Sequence, residues 1–213
     1  MKTKIILITL IAMLALTVLV FQSCKKDEPT DIFTDPRDGQ VYETIVIGSQ
    51  IWMAENLNYE ITNSWWYNNR SDNGDVYGRL YTWDAALTAC PTGWSLPSDD
   101  QWKQMEMALG MSQSEADDTD YRGTDEGIKM KSTSGWNDNG NGTNSSGFNA
   151  LPGGRRSNYE SFSSLGDDGY WWSRTEGSWS ARAWRRSLYY DYGQVDRYSI
   201  YKTDGYSVRC LKN

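Results

Sequence analysis

The first 23 residues determine the compartment in which this chain folds, and the compartment determines what its cysteines can do. Lys2 and Lys4 give a short basic start, and an almost unbroken apolar run follows over residues 5–21. This pattern is typical of a secretory signal, which is removed from the mature protein. The alternative is a permanent transmembrane anchor, although a run of about 17 residues is at the lower limit for spanning a bilayer.

The residues that follow the apolar run favour the signal and add a lipid anchor. Ser23-Cys24 comes directly after it, and a cysteine preceded by a small residue at this place resembles the lipobox of bacterial lipoproteins. The resemblance implies that Cys24 receives a diacylglycerol group and that the chain is cut just before it. Residues 25–28, Lys-Lys-Asp-Glu, resemble the surface-export tag of Bacteroidota-type lipoproteins, but they also suit a plain solvated tether. We therefore expect a lipid-anchored protein of the outer membrane, exposed at the cell surface.

The pattern divides the chain into a signal at residues 1–23, a lipidated cysteine with a polar linker at 24–37, and one domain at 38–213. A domain of this size is long enough to bury a core. Removing the signal takes away two lysines and no acid, so 19 of the 21 basic residues remain against 28 acidic ones, a net charge of −9. This charge does not favour nucleic acid as a partner.

The two cysteines that remain after Cys24 are expected to pair. Cys90 and Cys210 would lie outside the cytoplasm, where thiols usually form disulfides. The chain-entropy model credits such a long loop with about 4 to 5 kcal/mol of stabilisation. The alternative is a redox or metal site, but the sequence contains no histidine to supplement two thiols.

Composition and periodicity predict an α+β domain. Eleven Trp, fourteen Tyr and nineteen Gly are typical of a chain rich in strands and turns. Residues 41–53 read as a hairpin, and residues 83–90 as an alanine-rich helix ended by Pro91. Five later strands are predicted at residues 148–151, 170–174, 181–190, 195–202 and 205–211, whereas residues 56–78 and 111–147 read as loops.

A second helix carries the clearest boundary signals. Ser98 is a candidate N-cap, with Gln101 in the capping-box position and Gly110 at the end. Its apolar side chains recur at spacings of three and four, which places them on one core-facing side: Trp102, Met105 and Leu109.

Five spaced motifs carry a family resemblance. They are the segments at residues 48–57, 90–102, 143–155, 169–176 and 205–210, for example Cys-Pro-Thr-Gly-Trp-Ser-Leu-Pro-Ser at 90–98. In this order they resemble the Fibrobacter succinogenes major paralogous domain, a family of secreted and surface proteins. The resemblance covers roughly residues 38–213 and implies a C-type-lectin-like fold, related to the sulfatase-modifying factors, with two short helices on a twisted antiparallel sheet and long loops. Most motif residues are expected to be architectural.

Metal binding and catalysis find little support. Trp136-Asn137-Asp138 also occurs in calcium-dependent lectins, but its partner tripeptides are missing, and we interpret it as a turn. Asp-rich turns at residues 72–75 and 167–169 leave Ca²⁺ open as a ligand, while no other cofactor is expected. Without histidine or a spare cysteine, nucleophilic catalysis lacks its residues.

Surface recognition is the function that the sequence favours. Trp65-Trp66-Tyr67 lies in a polar loop, and further aromatics crowd the C-terminal strands, among them Tyr189, Tyr190 and Tyr192. Aromatic faces beside polar groups suit sugars and protein interfaces, although strand alternation should bury half of them. We expect a lectin-like domain that binds an extracellular glycan or protein. The alternatives are a surface hydrolase or modifying enzyme, and a purely structural envelope lipoprotein.

Overall fold

The computed structural model describes residues 31–213, which form a mixed α+β domain with mostly antiparallel sheets and several short helices. This confirms the predicted class. Cys24, with the predicted signal and lipid anchor, lies outside the described residues. Within the described part of the chain, no helix is long and apolar enough to cross a membrane.

Fourteen strands and five α-helices make up the described residues. The strands are β1 (Asp31–Thr34), β2 (Val41–Ile47), β3 (Gln50–Met53), β4 (Ser64–Trp65), β5 (Leu80–Tyr81), β6 (Trp94–Ser95), β7 (Asp120–Arg122), β8 (Gly153–Arg156), β9 (Phe162–Leu165), β10 (Asp168–Glu176), β11 (Arg182–Tyr189), β12 (Val195–Tyr201), β13 (Tyr206–Ser207) and β14 (Leu211–Lys212). The helices are α1 (Ser71–Tyr77), α2 (Trp83–Ala89), α3 (Asp99–Ala108), α4 (Gln113–Asp117) and α5 (Glu126–Met130), with a 3₁₀ turn at Tyr67–Asn69.

Two sheets divide these strands, and the chain's last strand joins the first sheet. That sheet has the order β1-β2-β3-β14-β6, with Leu211 of β14 opposite Trp52 on one side and Ser95 on the other. The second sheet has the order β4-β5-β13-β10-β11-β12-β7 and curls into a half-barrel. Strands β8 and β9 form a separate hairpin.

Two hydrophobic cores lie on opposite faces of the long strand β10. Trp172 packs in the core that contains α2, whereas its neighbour Trp171 packs in the core that contains Trp102 and Met105 of α3. Both β10 tryptophans are fully buried. Successive side chains of a strand point to opposite faces, so a Trp-Trp pair can serve both cores at once.

The local signals for the hairpin and the helices are confirmed. Strands β2 and β3 pair in register, and Gly48 takes a positive φ of 62° in the turn between them. Helix α3 begins with a complete capping box, in which Gln101 N–H donates to Ser98 Oγ at 3.1 Å and Ser98 N–H donates to Gln101 Oε1 at 2.8 Å. Leu109, predicted on the core face, is only half-buried.

Several predicted loops and boundaries are wrong. Strand β1 lies inside the predicted linker 24–37 and pairs with β2 over its whole length. The predicted loop 56–78 contains β4, the 3₁₀ turn and α1, and the predicted loop 111–147 contains α4, β7 and α5. Conversely, the predicted strand 148–151 makes only a single bridge, between Ala150 and Lys131. These segments are short and polar, and distant partners determine their structure.

The predicted disulfide is present. Cys90 follows α2 and Cys210 precedes β14, with Cα atoms 5.9 Å apart and a sequence separation of 120. Cys210 is fully buried in the α2 core. The bond therefore fastens α2 to the last strand of the first sheet, which joins the middle of the chain to its end.

A buried ion cluster fastens α3 to the second sheet. Glu106 accepts hydrogen bonds from Arg122 Nη1 and Nη2, both at 2.9 Å, and from Arg186 Nε. Asp99 pairs with Arg186 Nη1 at 2.8 Å and with Arg197 Nη2 at 2.7 Å. All five side chains are buried. Burial opposes the ionisation of Asp99, but the hydrogen bonds and charges of Arg197 and Arg186 outweigh it and hold its pKa well below the usual range.

This cluster predicts an acid-sensitive contribution to stability. Because the pKa of Asp99 is lower in the folded state, its stabilisation is present above pH 4 and is lost as the pH falls further. Asp99→Asn should reduce the free energy of unfolding by about 3–5 kcal/mol at pH 7, since it removes the carboxylate that pairs with the buried Arg186 and Arg197, and by less at pH 3.

Urea unfolding followed by circular dichroism at both pH values measures the difference. The control is Asp100→Asn, because the neighbouring Asp100 side chain is 86% exposed and should contribute little. An equal loss of stability for Asp99→Asn at pH 7 and pH 3 would contradict the assigned role of the carboxylate.

Candidate functional site

The three aromatic residues predicted to lie in one polar loop have different environments. Trp65 belongs to β4, where it pairs with Leu80, and the 3₁₀ turn begins two residues later at Tyr67. Asn63, Asn68 and Asn69 all take positive φ angles, which asparagine tolerates better than most residues. The Asn-rich composition of this segment therefore produces tight turns that send neighbouring rings in different directions.

Trp66 and Tyr67 are structural. The Trp66 ring lies 4.2 Å from the Arg79 guanidinium, and its Nε1–H donates to Asn58 Oδ1 at 3.0 Å. A Cβ at Gly74 would lie 2.3 Å from this ring, so only glycine allows α1 to pack so closely. Tyr67 is buried, with its ring 5.4 Å from that of Phe162. Trp66, like Trp65, is half-buried, whereas Tyr67 is buried, so the three rings do not form one exposed surface.

Trp65 lines an open cleft of about 330 Å³. Its ring is half-buried, and the Arg156 guanidinium of β8 lies 3.9 Å from the ring centroid. We call this the Trp65 cleft, and its lining residues are Asn63, Trp65, Thr82, Asp84, Arg156, Glu160, Lys202 and Thr203. The cleft thus combines one large aromatic ring with amide, hydroxyl, carboxylate and cationic groups.

The charges of the cleft cancel, and two of its side chains are held in place. Arg156 Nη2 lies 3.3 Å from Glu160 Oε1. Lys202 Nζ lies 2.7 Å from Glu176 Oε1 and 4.2 Å from the Trp83 ring. Two cations, Arg156 and Lys202, face two carboxylates, Glu160 and Asp84. A cleft with this balance favours an uncharged polar ligand over a strongly anionic or cationic one.

Two tyrosines of the second predicted group, Tyr189 and Tyr192, form a patch with Tyr121 at the β7 edge of the second sheet. We call this the tyrosine patch. Tyr192 stacks on Tyr121 with centroids 4.5 Å apart, and Tyr189 lies 5.5 Å from Tyr121. Tyr189 OH donates to Asp196 Oδ2 at 3.1 Å, and the same oxygen accepts from Arg185 Nη1 at 2.9 Å. Tyr121 and Tyr192 are both exposed, so this patch presents two flat rings to solvent.

Lys131 holds the loop that carries this patch, and sequence reasoning missed it. Its Nζ donates to the backbone carbonyls of Tyr189, Tyr190 and Tyr192 at 3.0, 3.2 and 3.1 Å. Burial lowers the pKa of the Lys131 ammonium. Tyr190 is half-buried beside a small cavity of about 180 Å³ that Lys131 also lines. No local pattern around Lys131 indicates this contact, because its partners are about 60 residues away.

The motifs considered for calcium serve other purposes. Trp136 is buried, and its Nε1–H donates to Ser132 Oγ and to the Ala150 carbonyl, both at 3.1 Å. Residues 72–75 lie in α1 and do not form the predicted turn. Across residues 31–213, no group of three or more His, Cys, Asp or Glu side chains is arranged to hold a metal ion.

Residues of the recognised motifs meet at a buried arginine. Arg209 lies fully buried, and its Nη2 donates to Asn56 Oδ1 at 2.8 Å, while its Nη1 donates to the Phe148 carbonyl. The same Asn56 oxygen accepts from Trp171 Nε1–H at 2.8 Å. Burial lowers the pKa of Arg209 to about 9. Four separate motifs thus meet around one guanidinium, which agrees with their expected architectural role.

Comparison with known proteins identifies the family. The sequence matches the family model of the Fibrobacter succinogenes major domain over residues 45–212, so the chain belongs to this family. Neither the curated proteins nor the solved structures include a significant match.

The different environments of the paired tryptophans predict different mutational effects. Trp66→Ala should lower the free energy of unfolding by about 2–4 kcal/mol, because it removes packing against Gly74 and a contact with Arg79. Trp65→Ala should lower it by only about 1 kcal/mol, mainly through its contact with Arg156. Chemical denaturation of both variants measures these losses.

Trp179 provides the control, since it is 69% exposed and contacts Arg182 at 5.2 Å. Trp179→Ala should leave stability almost unchanged. If Trp65→Ala cost as much stability as Trp66→Ala, the Trp65 ring would be part of the core and the cleft would lose its candidate platform.

Proposed function

We propose that this protein is a cell-surface lipoprotein whose domain binds an extracellular glycan in the Trp65 cleft. The observation that carries the proposal is the combination of the Trp65 ring with polar groups in one open cleft of about 330 Å³. Clefts of this size are typical of small-ligand sites. A sugar presents C–H groups on one face and hydroxyls around its edge, which an aromatic ring and hydrogen-bonding side chains complement.

The polar groups of the cleft suit vicinal hydroxyls. Asp84 is exposed, and its carboxylate accepts no hydrogen bond from the described residues, so it remains available to a ligand. Asn63 can donate as well as accept, and Lys202 and Arg156 supply N–H donors. Because the two cations and two carboxylates balance, the proposed ligand is a neutral hexose unit.

A C-type-lectin-like fold is part of the same proposal. In support, the domain brings its first strands and its last strand into one sheet and fastens that sheet to α2 through the disulfide. Loop segments and short elements line the Trp65 cleft, while the second sheet provides a rigid base. The domain is then a binding module without catalysis, which agrees with the absence of histidine from the sequence and with the pairing of Cys90 and Cys210.

The tyrosine patch supports a second candidate function, which is binding of a protein partner. Tyr192 and Tyr121 are each more than two-fifths exposed and stack on one another. Tyrosine is enriched at protein interfaces, because its ring is apolar and its hydroxyl forms hydrogen bonds.

A glycan array followed by calorimetry tests the first function. The protein with Trp65→Ala should bind the selected glycan at least tenfold more weakly, because the ring supplies the stacking surface. Asp84→Asn should also weaken binding, since it removes a charged hydrogen-bond acceptor while it keeps the size of the side chain.

Trp179→Ala is the matched control, because it removes an exposed tryptophan outside the cleft, and it should bind as tightly as the unmodified protein. Equal binding by Trp65→Ala and Trp179→Ala would rule out the cleft as the site. Weaker binding by Tyr192→Ala alone would move the ligand to the tyrosine patch.

The lipid anchor is tested separately. Cys24→Ala should leave the precursor uncut and without label from an alkyne-tagged fatty acid, because Cys24 supplies the thiol that is acylated. Asp27→Ala should be cut and labelled normally, since it leaves that thiol intact. Lipid label on Cys24→Ala would contradict the anchor, and resistance of the domain to protease added to whole cells would contradict its surface display.

A further inference from the structure

The two strands that follow the tether carry an unusual share of the exposed aliphatic side chains. Ile32 on β1 is 68% exposed, and Val41 and Val46 on β2 are 47% and 50% exposed. Among residues 31–213, only three other aliphatic side chains are comparably exposed: Val76, Leu87 and Ile128. Ile32 and Val41 point to one face of the sheet and Val46 to the other, so apolar surface flanks the β1 edge on both faces, which indicates an interaction site.

A groove of about 510 Å³ with mixed apolar and polar walls lies beside Ile32 and Val46. Its floor includes Val46, Ile51 and Phe33, and the Trp94 ring closes one side, 5.1 Å from the ring of Phe33. Asp31 and Lys212 stand at its rim. We call it the β1 groove, and its remaining lining residues are Ile32, Thr44, Thr92 and Gly93.

The position of the proposed anchor brings this groove to the membrane. Asp31 lies at the rim of the groove and follows Cys24 by seven positions. A fully extended chain of that length spans at most about 25 Å. A domain of this size is about 40 Å across, so the tether cannot turn β1 to the side that faces away from the bilayer.

The tether is poorly suited to fill the groove. Ala54 N–H donates to the Glu43 carbonyl at 2.8 Å, so the backbone N–H and C=O of Glu43 point toward β3. These groups alternate in direction along an antiparallel strand, so those of Val46 point away from β3, toward the β1 side. The sequence places Pro29 two positions before Asp31, and proline has no N–H to donate to a neighbouring strand. Proline therefore disfavours an extension of β1 along β2.

From these observations we infer that the β1 groove docks the domain onto a lipid surface, at the boundary between headgroups and acyl chains. This inference rests on the proposed lipid anchor. Ile32 and Val46, which flank the β1 edge on its two faces, enter the apolar layer, while the exposed Lys212 lies at headgroup level, where basic side chains are favoured. The net charge of the mature chain is −9, so the inferred surface is zwitterionic and not anionic.

Hydrogen exchange on tethered protein tests the inference. The mature chain, residues 24–213, is coupled through the Cys24 thiol to a maleimide lipid in phosphatidylcholine vesicles, which is selective because the other two cysteines form the disulfide. Exchange in β1 and β2 should slow at least threefold relative to thiol-blocked protein mixed with the same vesicles. Exchange in β12 should not change.

Two variants make the test specific. Val46→Asp should lose the slowing, whereas Val76→Asp should retain it, because Val76 is equally exposed, at 54%, but lies on α1. Ile32→Asp repeats the test on the other strand, and melting curves confirm that each variant folds. Unchanged exchange on tethering, or slowing retained by Val46→Asp, would overturn the inference. Slowing that requires a high protein density on the vesicles would also overturn it, in favour of a second copy of the chain.

The coupling step replaces cellular acylation, so this result does not depend on whether cells lipidate Cys24. Absence of fatty-acid label on the native protein together with normal slowing in vesicles would reject the anchor and keep the affinity of the groove for lipid. Normal labelling together with unchanged exchange would reject the groove and keep the anchor.

Discussion

The segment Val208–Leu211 connects the two cores, and the rest of the structure depends on it. Val208 packs in the α2 core, Cys210 forms the disulfide with Cys90, and Leu211 packs in the α3 core. Between them the Arg209 guanidinium binds backbone carbonyls and Asn56, with no carboxylate partner among the described residues. A buried cation held only by oriented dipoles requires that every acceptor stay in place, so this site specifies one arrangement of the surrounding loops.

Local sequence signals predicted the parts of the fold in which a few neighbouring residues determine the structure. The capping box at Ser98 and Gln101 placed the start of α3, and the alternation of residues 41–53 placed the first hairpin. The disulfide followed from the small number of cysteines. Strand β7 had no such signal. Its Arg122 is buried because it bonds to Glu106 of α3, and Glu106 also bonds to Arg186, which is 80 residues further along the chain. Long-range ion pairs of this kind leave no periodic pattern.

The candidate site shows the same limit. The sequence predicted a ligand-binding loop from three adjacent rings that cannot all be buried, but segments remote from Trp65–Tyr67 determine how each ring is packed. Gly74 and Arg79 enclose Trp66, and Phe162 covers Tyr67, while Arg156 approaches Trp65 and leaves it at the edge of a cleft. Adjacent residues reveal aromatic content, whereas exposure depends on packing against elements that are 8 to 95 residues away.

Helix α2 relates the two surfaces proposed for ligand and lipid. Thr82 and Asp84, at its start, line the Trp65 cleft, whereas Thr92, Gly93 and Trp94, just beyond its end, line the β1 groove. Seven helical residues rise about 10 Å, and the turn through Cys90 adds to this separation. The disulfide fixes the end of α2 to the first sheet, so the cleft and the groove keep a constant relative orientation. Contact of the groove with lipid would therefore direct the cleft away from the membrane, toward ligands outside the cell.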